Sequence, residues 1–185
     1  MTQLGGSLVL QILLVGAGRV DYSILGVVAD MVKERMPVPT EVLRPVWREN
    51  IPLTLYDFDR MQFRADLVNL FLAERFGSLV SPPRRLLVAV VAGDAYVPGL
   101  NFVFGLASPE LGVASVYLVR ILGDKLLERL AKLVLHETGH LLGLGHCDNP
   151  ACVMRFSNSL VDLDLKGDRF CPKCTAKLRG IFGLS

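Results

Sequence analysis

The side chains best able to bind a metal ion or move a proton are few in this chain, and they gather near one end. The 185-residue sequence holds three histidines and four cysteines. They are His136, His140, His146, Cys147, Cys152, Cys171 and Cys174, all within residues 136–174. His136-Glu137-Thr138-Gly139-His140 fits the pattern HExxH. On an α-helix, residues four apart face the same way, so both imidazoles can reach one ion at ~2.0–2.1 Å. Glu137 stands beside the first of them and can take a proton from water at the open coordination position. A third ligand further along the same helix would lie too far up its axis. Gly143 removes that difficulty, because it can adopt positive φ, end the helix and let the chain turn back. His146 then completes a three-histidine set. Three protein ligands and one open position describe a catalytic zinc site.

The cysteines are spaced as Cys147-x4-Cys152 and Cys171-x2-Cys174. The second pair has knuckle spacing, with Pro172 stiffening its turn, and the first is looser. Four thiolates close a tetrahedral site, so a second, structural zinc is expected. Two local disulfides or free thiols are the alternative. A nucleic-acid-binding ribbon is opposed by charge. Residues 147–185 carry six basic and four acidic side chains, and four thiolates around one Zn²⁺ leave a negative site that offsets this excess. Met154 lies two residues after Cys152. Alone, a methionine there reads as core filler.

The rest of the chain must build the scaffold. Residues 7–15 read as a buried strand ended by Gly16-Ala17-Gly18. That turn misses the G-x-G-x-x-G spacing, because position 21 is Asp, and reads as an ordinary turn. Asp21 suits the N-cap of a helix running to about Arg35, stopped by Pro37 and Pro39. Residues 41–47 are a second strand candidate, weakened by Pro45, and residues 52–56 a short extended piece. Residues 59–76 read as an amphipathic helix through Phe63, Leu67, Leu70, Phe71 and Phe76, with Gly77 at its C-cap. After the Ser81-Pro82-Pro83 linker, residues 86–92 form a strongly buried strand. Residues 101–106 and 113–119 suggest a hairpin. The helix bearing HExxH spans about 124–142, and a short helix about 171–179. This alternation indicates an α+β (α/β-like) layer of sheet and helices.

Composition narrows the classes. A chain that is 51% hydrophobic and 21% charged is neither disordered nor fibrous, and its length suits one domain. The net charge of +2 supplies no strong field for nucleic acid or an anionic membrane. Mean hydropathy is high, at +0.43. The apolar run of residues 8–18 is nevertheless broken by Gln11 and is shorter than the ~20 residues of a spanning helix. No basic segment precedes it, so no secretory signal is expected. Free thiolates suit a reducing interior, so a cytoplasmic location is expected.

Taken together, His136-Glu137-x-x-His140-x-x-Gly143-x-x-His146, Cys147-x4-Cys152-x-Met154 and Cys171-x2-Cys174 resemble the archaemetzincins. These are metzincin-clan zinc metallopeptidases with an extra four-cysteine zinc site. The resemblance is specific over residues 136–174. It implies a metzincin-type twisted mixed sheet packed with helices, with an active-site helix. Residues 1–143 would form an upper subdomain and residues 144–185 a small, zinc-stabilised lower one. Two Zn²⁺ per chain are implied, one catalytic on His136, His140 and His146, one structural on Cys147, Cys152, Cys171 and Cys174. Met154 would belong to an apolar Met-turn beneath the three-histidine zinc, and Glu137 would be the general base for peptide-bond hydrolysis. A peptide or protein substrate would lie along an exposed edge strand, the pair 101–106 and 113–119 being the candidate. Tyr96 and Tyr117 are upstream candidates to assist. The partners expected are peptide or protein substrates, with no nucleic acid and no membrane, for a chain acting as a monomer. A catalytically idle or latent zinc-stabilised binding protein is the alternative.

Overall fold

A computed structural model describes residues 9–43 and 48–184. Three parallel strands form its centre: β1 (Leu10–Ala17), β6 (Arg85–Val91) and β9 (Val113–Tyr117). Their sequences are nearly continuous apolar runs because helices cover both faces. Period two divides them. Leu10, Ile12, Leu14, Leu86, Val88, Val90, Ala114 and Val116 join one core cluster. Leu13, Val15, Ala17, Leu87, Ala89, Val91, Val113 and Tyr117 join the other. The first cluster is closed by α1 (Tyr22–Arg35) and α3 (Leu126–Leu141), the second by α2 (Ala65–Phe76). Each fully buried Leu or Val contributes roughly 1.5–3 kcal/mol over its exposed state, so this sandwich is a stiff platform for whatever its edge carries.

The strand order is β2-β1-β6-β9-β8, with β2 (Thr40–Leu43) at one end and β8 (Gly105–Ser108) at the other. β3 (Arg48–Glu49) also pairs with β1. β8 runs antiparallel to β9, in the register Gly105↔Val116 to Ser108↔Val113. A small second sheet joins β4 (Tyr56–Asp57), β5 (Gln62–Arg64) and β7 (Ala95–Tyr96). The C-terminal part adds α4 (Leu160–Leu165) and α5 (Pro172–Ile181).

Asp21 caps α1 by accepting from the Ser23 N–H, as expected. The helix expected over 59–76 begins only at Ala65. Residues 62–64 are drawn into β5 by pairing with β4 and β7, so tertiary strand partners override the helical period there. Gly77 keeps right-handed helical angles and leads into a 3-10 turn instead of a left-handed cap. Residues 53–55 form a 3-10 turn, not an extended piece. In the hairpin, only residues 105–108 pair with β9, while residues 101–104 are irregular. Residues 7–8 of the first expected strand, and 44–47 of the second with Pro45, lie outside the described residues.

Candidate metal centres and cleft

Helix α3 presents His136 and His140 on one face, and their Nε2 atoms are 3.1 Å apart. Two imidazole nitrogens on one tetrahedral ion at ~2.05 Å lie roughly 3.3 Å from each other. The helix ends at Gly143, which has φ +83°. There the Leu144 N–H donates to the Gly139 carbonyl at 2.9 Å, the 6→1 bond of a Schellman turn. The same turn brings the Leu144 carbonyl to His140 Nδ1 at 2.8 Å. His136 Nδ1 likewise lies 2.8 Å from the Val153 carbonyl. With both Nδ1–H groups given to carbonyls, both Nε2 lone pairs point into one space. Two lone pairs at that separation repel unless a cation lies between them. After the turn, His146 joins the trio, and the three ligating nitrogens lie within 4.8 Å of one another. Burial holds all three imidazoles below their ordinary pKa, which keeps them in the neutral, ligating form.

The four cysteines form the second cluster. Cys147 and Cys171 sulfurs are 3.8 Å apart, as are those of Cys152 and Cys174. All four lie within 4.8 Å of one another. Disulfide sulfurs would be ~2.05 Å apart, whereas sulfurs around one tetrahedral zinc at ~2.3 Å stand roughly 3.8 Å from each other. The local-disulfide alternative is therefore set aside. Burial pushes the Cys152 and Cys174 thiols up, so four thiolates here require a cation. The donor sets and spacings of both clusters fit zinc.

A single short segment joins the two clusters. Cys152 belongs to the sulfur cluster, the Val153 carbonyl orients His136, and Met154 is fully buried beneath α3. Gly139 makes room for it, because a Cβ there would collide with Met154 Sδ. The Cys147 N–H donates to the Met154 carbonyl at 3.0 Å, and residue 147 directly follows His146.

Glu137 is 4% exposed, and burial raises its carboxyl to about 8, with Lys166 pulling the other way. A dication among the histidines favours the ionised form. The carboxylate rests against β8, since a Cβ built on Gly105 would come 2.5 Å from Glu137 Oε1 and 2.9 Å from its Cδ. The three histidines, Glu137 and the β8 edge line one cleft of about 910 Å³. Tyr96 and Tyr117 are not among its lining residues. Tyr117 is buried against Ser115, 2.9 Å away, and Tyr96 donates to Asp57 at 2.8 Å. The tyrosine assistance considered from sequence is thus corrected.

Sequence reasoning did not single out Gly105, Lys166 or the Arg129–Asp164 pair. Arg129 reaches Asp164 through two bonds of 2.7 and 2.8 Å, and its guanidinium holds the Asp164 carboxyl down at about 2. Lys132 donates to the carbonyls of Leu163 and Asp164, at 3.1 and 2.9 Å. These contacts fasten α4 to the histidine-bearing helix.

Comparison with known proteins agrees in family and fold. The sequence model of peptidase family M54 matches residues 78–180. An archaemetzincin of Aeropyrum pernix is 46% identical over 158 residues, covering 84% of this chain and 86% of that one. One of Pyrobaculum aerophilum is 50% identical over 125 residues, covering 68% and 76%. The crystal structure of an archaemetzincin from Methanopyrus kandleri superposes with TM-score 0.81 at 32% identity, over 97% of this chain and 99% of that one. A zinc-dependent peptidase from Methanocorpusculum labreanum gives 0.79 at 33%, over 90% and 99%.

Proposed function

The chain belongs to peptidase family M54, the archaemetzincins, and is a zinc metallopeptidase; we propose that it hydrolyses peptide bonds with Glu137 as general base, on substrates lying along β8. His136, His140 and His146 would hold the catalytic zinc, and Cys147, Cys152, Cys171 and Cys174 a structural one, two ions per chain. A zinc on the three histidines supplies Lewis acidity and lowers the pKa of water. Glu137 accepts the proton of the attacking water and returns it to the departing amine. Its burial supports this role, because a carboxylate shielded from bulk solvent keeps the proton it has taken. Met154 would be the apolar floor under the trio, residues 1–143 the upper subdomain and residues 144–185 the lower.

The observation that carries the substrate mode is the free edge of β8. The Tyr117 N–H donates to the Phe104 carbonyl at 2.9 Å, a bond that flanks 105↔116 and makes it a non-hydrogen-bonded pair. By antiparallel alternation, residues 105 and 107 then turn their N–H and C=O away from β9 and toward the cleft they line. An extended peptide can pair with those groups whatever its sequence, as a further strand. The site is complete within one chain, which supports action as a monomer. No helix among the described residues is long and apolar enough to cross a membrane, and the free cysteines suit a reducing, cytoplasmic setting.

A digest of a peptide library by zinc-loaded protein, read by mass spectrometry, tests the activity. Cleavage that stops on chelation and returns with zinc is expected. Absence of cleavage at full zinc occupancy would refute it and favour the idle binding protein.

Gly105→Ala probes the seating of the base. Its methyl must displace the Glu137 carboxylate, and an ångström of misplacement costs about 10²-fold. A fall of about ten- to a hundredfold in kcat/KM is expected, with zinc content unchanged. Parental kinetics in this variant would show that the carboxylate position against β8 is immaterial.

A further inference from the structure

Lys166 is one of the six basic residues of the C-terminal segment, yet the fold does not leave it as a solvated charge. Its N–H caps α4 on the Asp162 carbonyl at 3.0 Å, and its side chain lines the cleft, where the residue is 3% exposed. An ammonium has three N–H donors. One of them meets the Arg155 carbonyl at 3.2 Å. The other polar neighbour is His136 Nδ1, 3.3 Å away. That nitrogen gives its own hydrogen to Val153 when Nε2 ligates a metal, so it has no lone pair to accept with. No carboxylate among the described residues forms an ion pair with Lys166.

Ser157 lines the same cleft, and its hydroxyl is buried without a partner. Among the described lining residues, Glu137 and Lys166 alone carry formal charge, and Glu137 is committed to the histidine trio by the reading above. Glu137 and Cys152 favour the charge of Lys166 through space, without an ion-pair contact, and a buried ammonium with one hydrogen-bond acceptor in place gains further when an anion meets it directly. Its contact with the His136 ring, at 3.3 Å, sets the charge beside a residue of the histidine trio.

We propose that Lys166 and the Ser157 hydroxyl form a docking point for a substrate carboxylate next to the scissile bond. The class of substrate is a peptide with Asp or Glu flanking the cleaved bond, or with its C-terminal carboxylate there. The inference rests on the peptidase reading and adds a specificity to it. Lys166 and Ser157 donate to the carboxylate oxygens, and charge-assisted bonds of this kind discriminate strongly against an isosteric amide.

Matched quenched peptides supply the test. One set carries Glu, Gln or Leu at each residue flanking the cleaved bond. A second set ends just beyond that bond as free carboxylate or as amide. Zinc-loaded parent is expected to prefer carboxylate to amide by about tenfold or more in kcat/KM in one set, and the set identifies the source. Lys166→Met is expected to bring that ratio to about one, while Lys166→Arg retains part of it. A merely structural lysine would lower both members of each pair together and leave their ratio intact. Ser157→Ala is expected to reduce the ratio several-fold, and it carries the test should Lys166→Met not fold. Calorimetric binding of Glu and Gln peptides to Glu137→Gln reads the same ratio without turnover. Equal handling of carboxylate and amide by the parent, or a ratio that survives in Lys166→Met, overturns the proposal. No cleavage of any peptide by the parent would instead refute the peptidase reading, with the binding ratio still testing the docking point.

Discussion

Glu137→Ala is expected to lower kcat/KM for peptide cleavage by about 10²–10⁴-fold. The size follows from the job: without a base, proton removal from the attacking water falls to solvent, and the leaving amine loses its proton donor. Zinc content should be unchanged, because none of the seven clustered ligands is touched and the removed side chain lies against Gly105 on the β8 side. Removing a buried carboxyl raised to about 8 should also leave the thermal transition equal to the parent's or higher, since an ionised carboxylate there is desolvated. Metal analysis, a melting curve and kinetics on one peptide decide the matter. A variant that keeps two zinc ions and parental kinetics would end the general-base assignment. One that loses zinc would instead make Glu137 a support for the trio.

The chemistry of this chain was legible because metal sites depend on residue types that are scarce, at spacings that helix and turn geometry fix. His136, His140, Gly143 and His146 need one helix and one left-handed turn, and both form where the pattern puts them. The buried parallel strands were legible for a related reason: residues 86–92 are apolar without interruption, which a strand covered on both faces requires. Elements that depend on distant partners were not. Residues 62–64 have a helical pattern but become a strand because β4 and β7 lie alongside. The six-residue α4 is too short for periodicity to mark, although Ser159 and Asp162 carry its signal, a reciprocal cap in which the Asp162 N–H reaches Ser159 Oγ at 3.1 Å and that hydroxyl reaches Asp162 Oδ2 at 2.7 Å. Lys166 was illegible in a different way. In sequence it balances charge among neighbours such as Arg169 and Lys173, and only the fold turns it inward. Gly105 looked like any strand glycine until Glu137 was found against it.

Cys174→Ser is expected to cost the protein both zinc ions, not one, and with them its activity. Cys174 lies on α5, and nothing places it in contact with the histidines. If the sulfur cluster were an independent staple, breaking it would leave the trio loaded. The structure ties them instead. Cys152 shares the sulfur site with Cys174, at 3.8 Å, and the next residue supplies the carbonyl that orients His136. The residue after that is Met154, packed beneath Gly139, and its carbonyl accepts from the N–H of Cys147, the residue that follows the third histidine. Metal binding by four thiolates contributes about 10–16 kcal/mol in zinc-finger peptides, more than the whole stability of a typical domain. Losing it should free residues 147–184 while the sheet, with its own buried core, stays folded. Hydrogen exchange should then rise sharply over that segment and little in β1, β6 and β9. Zinc should fall below one ion per chain, and kcat/KM should drop by at least about a hundredfold, as a misplaced ligand implies. A Cys174→Ser protein that gives up one zinc and keeps parental kinetics would show that the segment 152–154 holds its shape without the ion, and that the two metals, though neighbours, act alone.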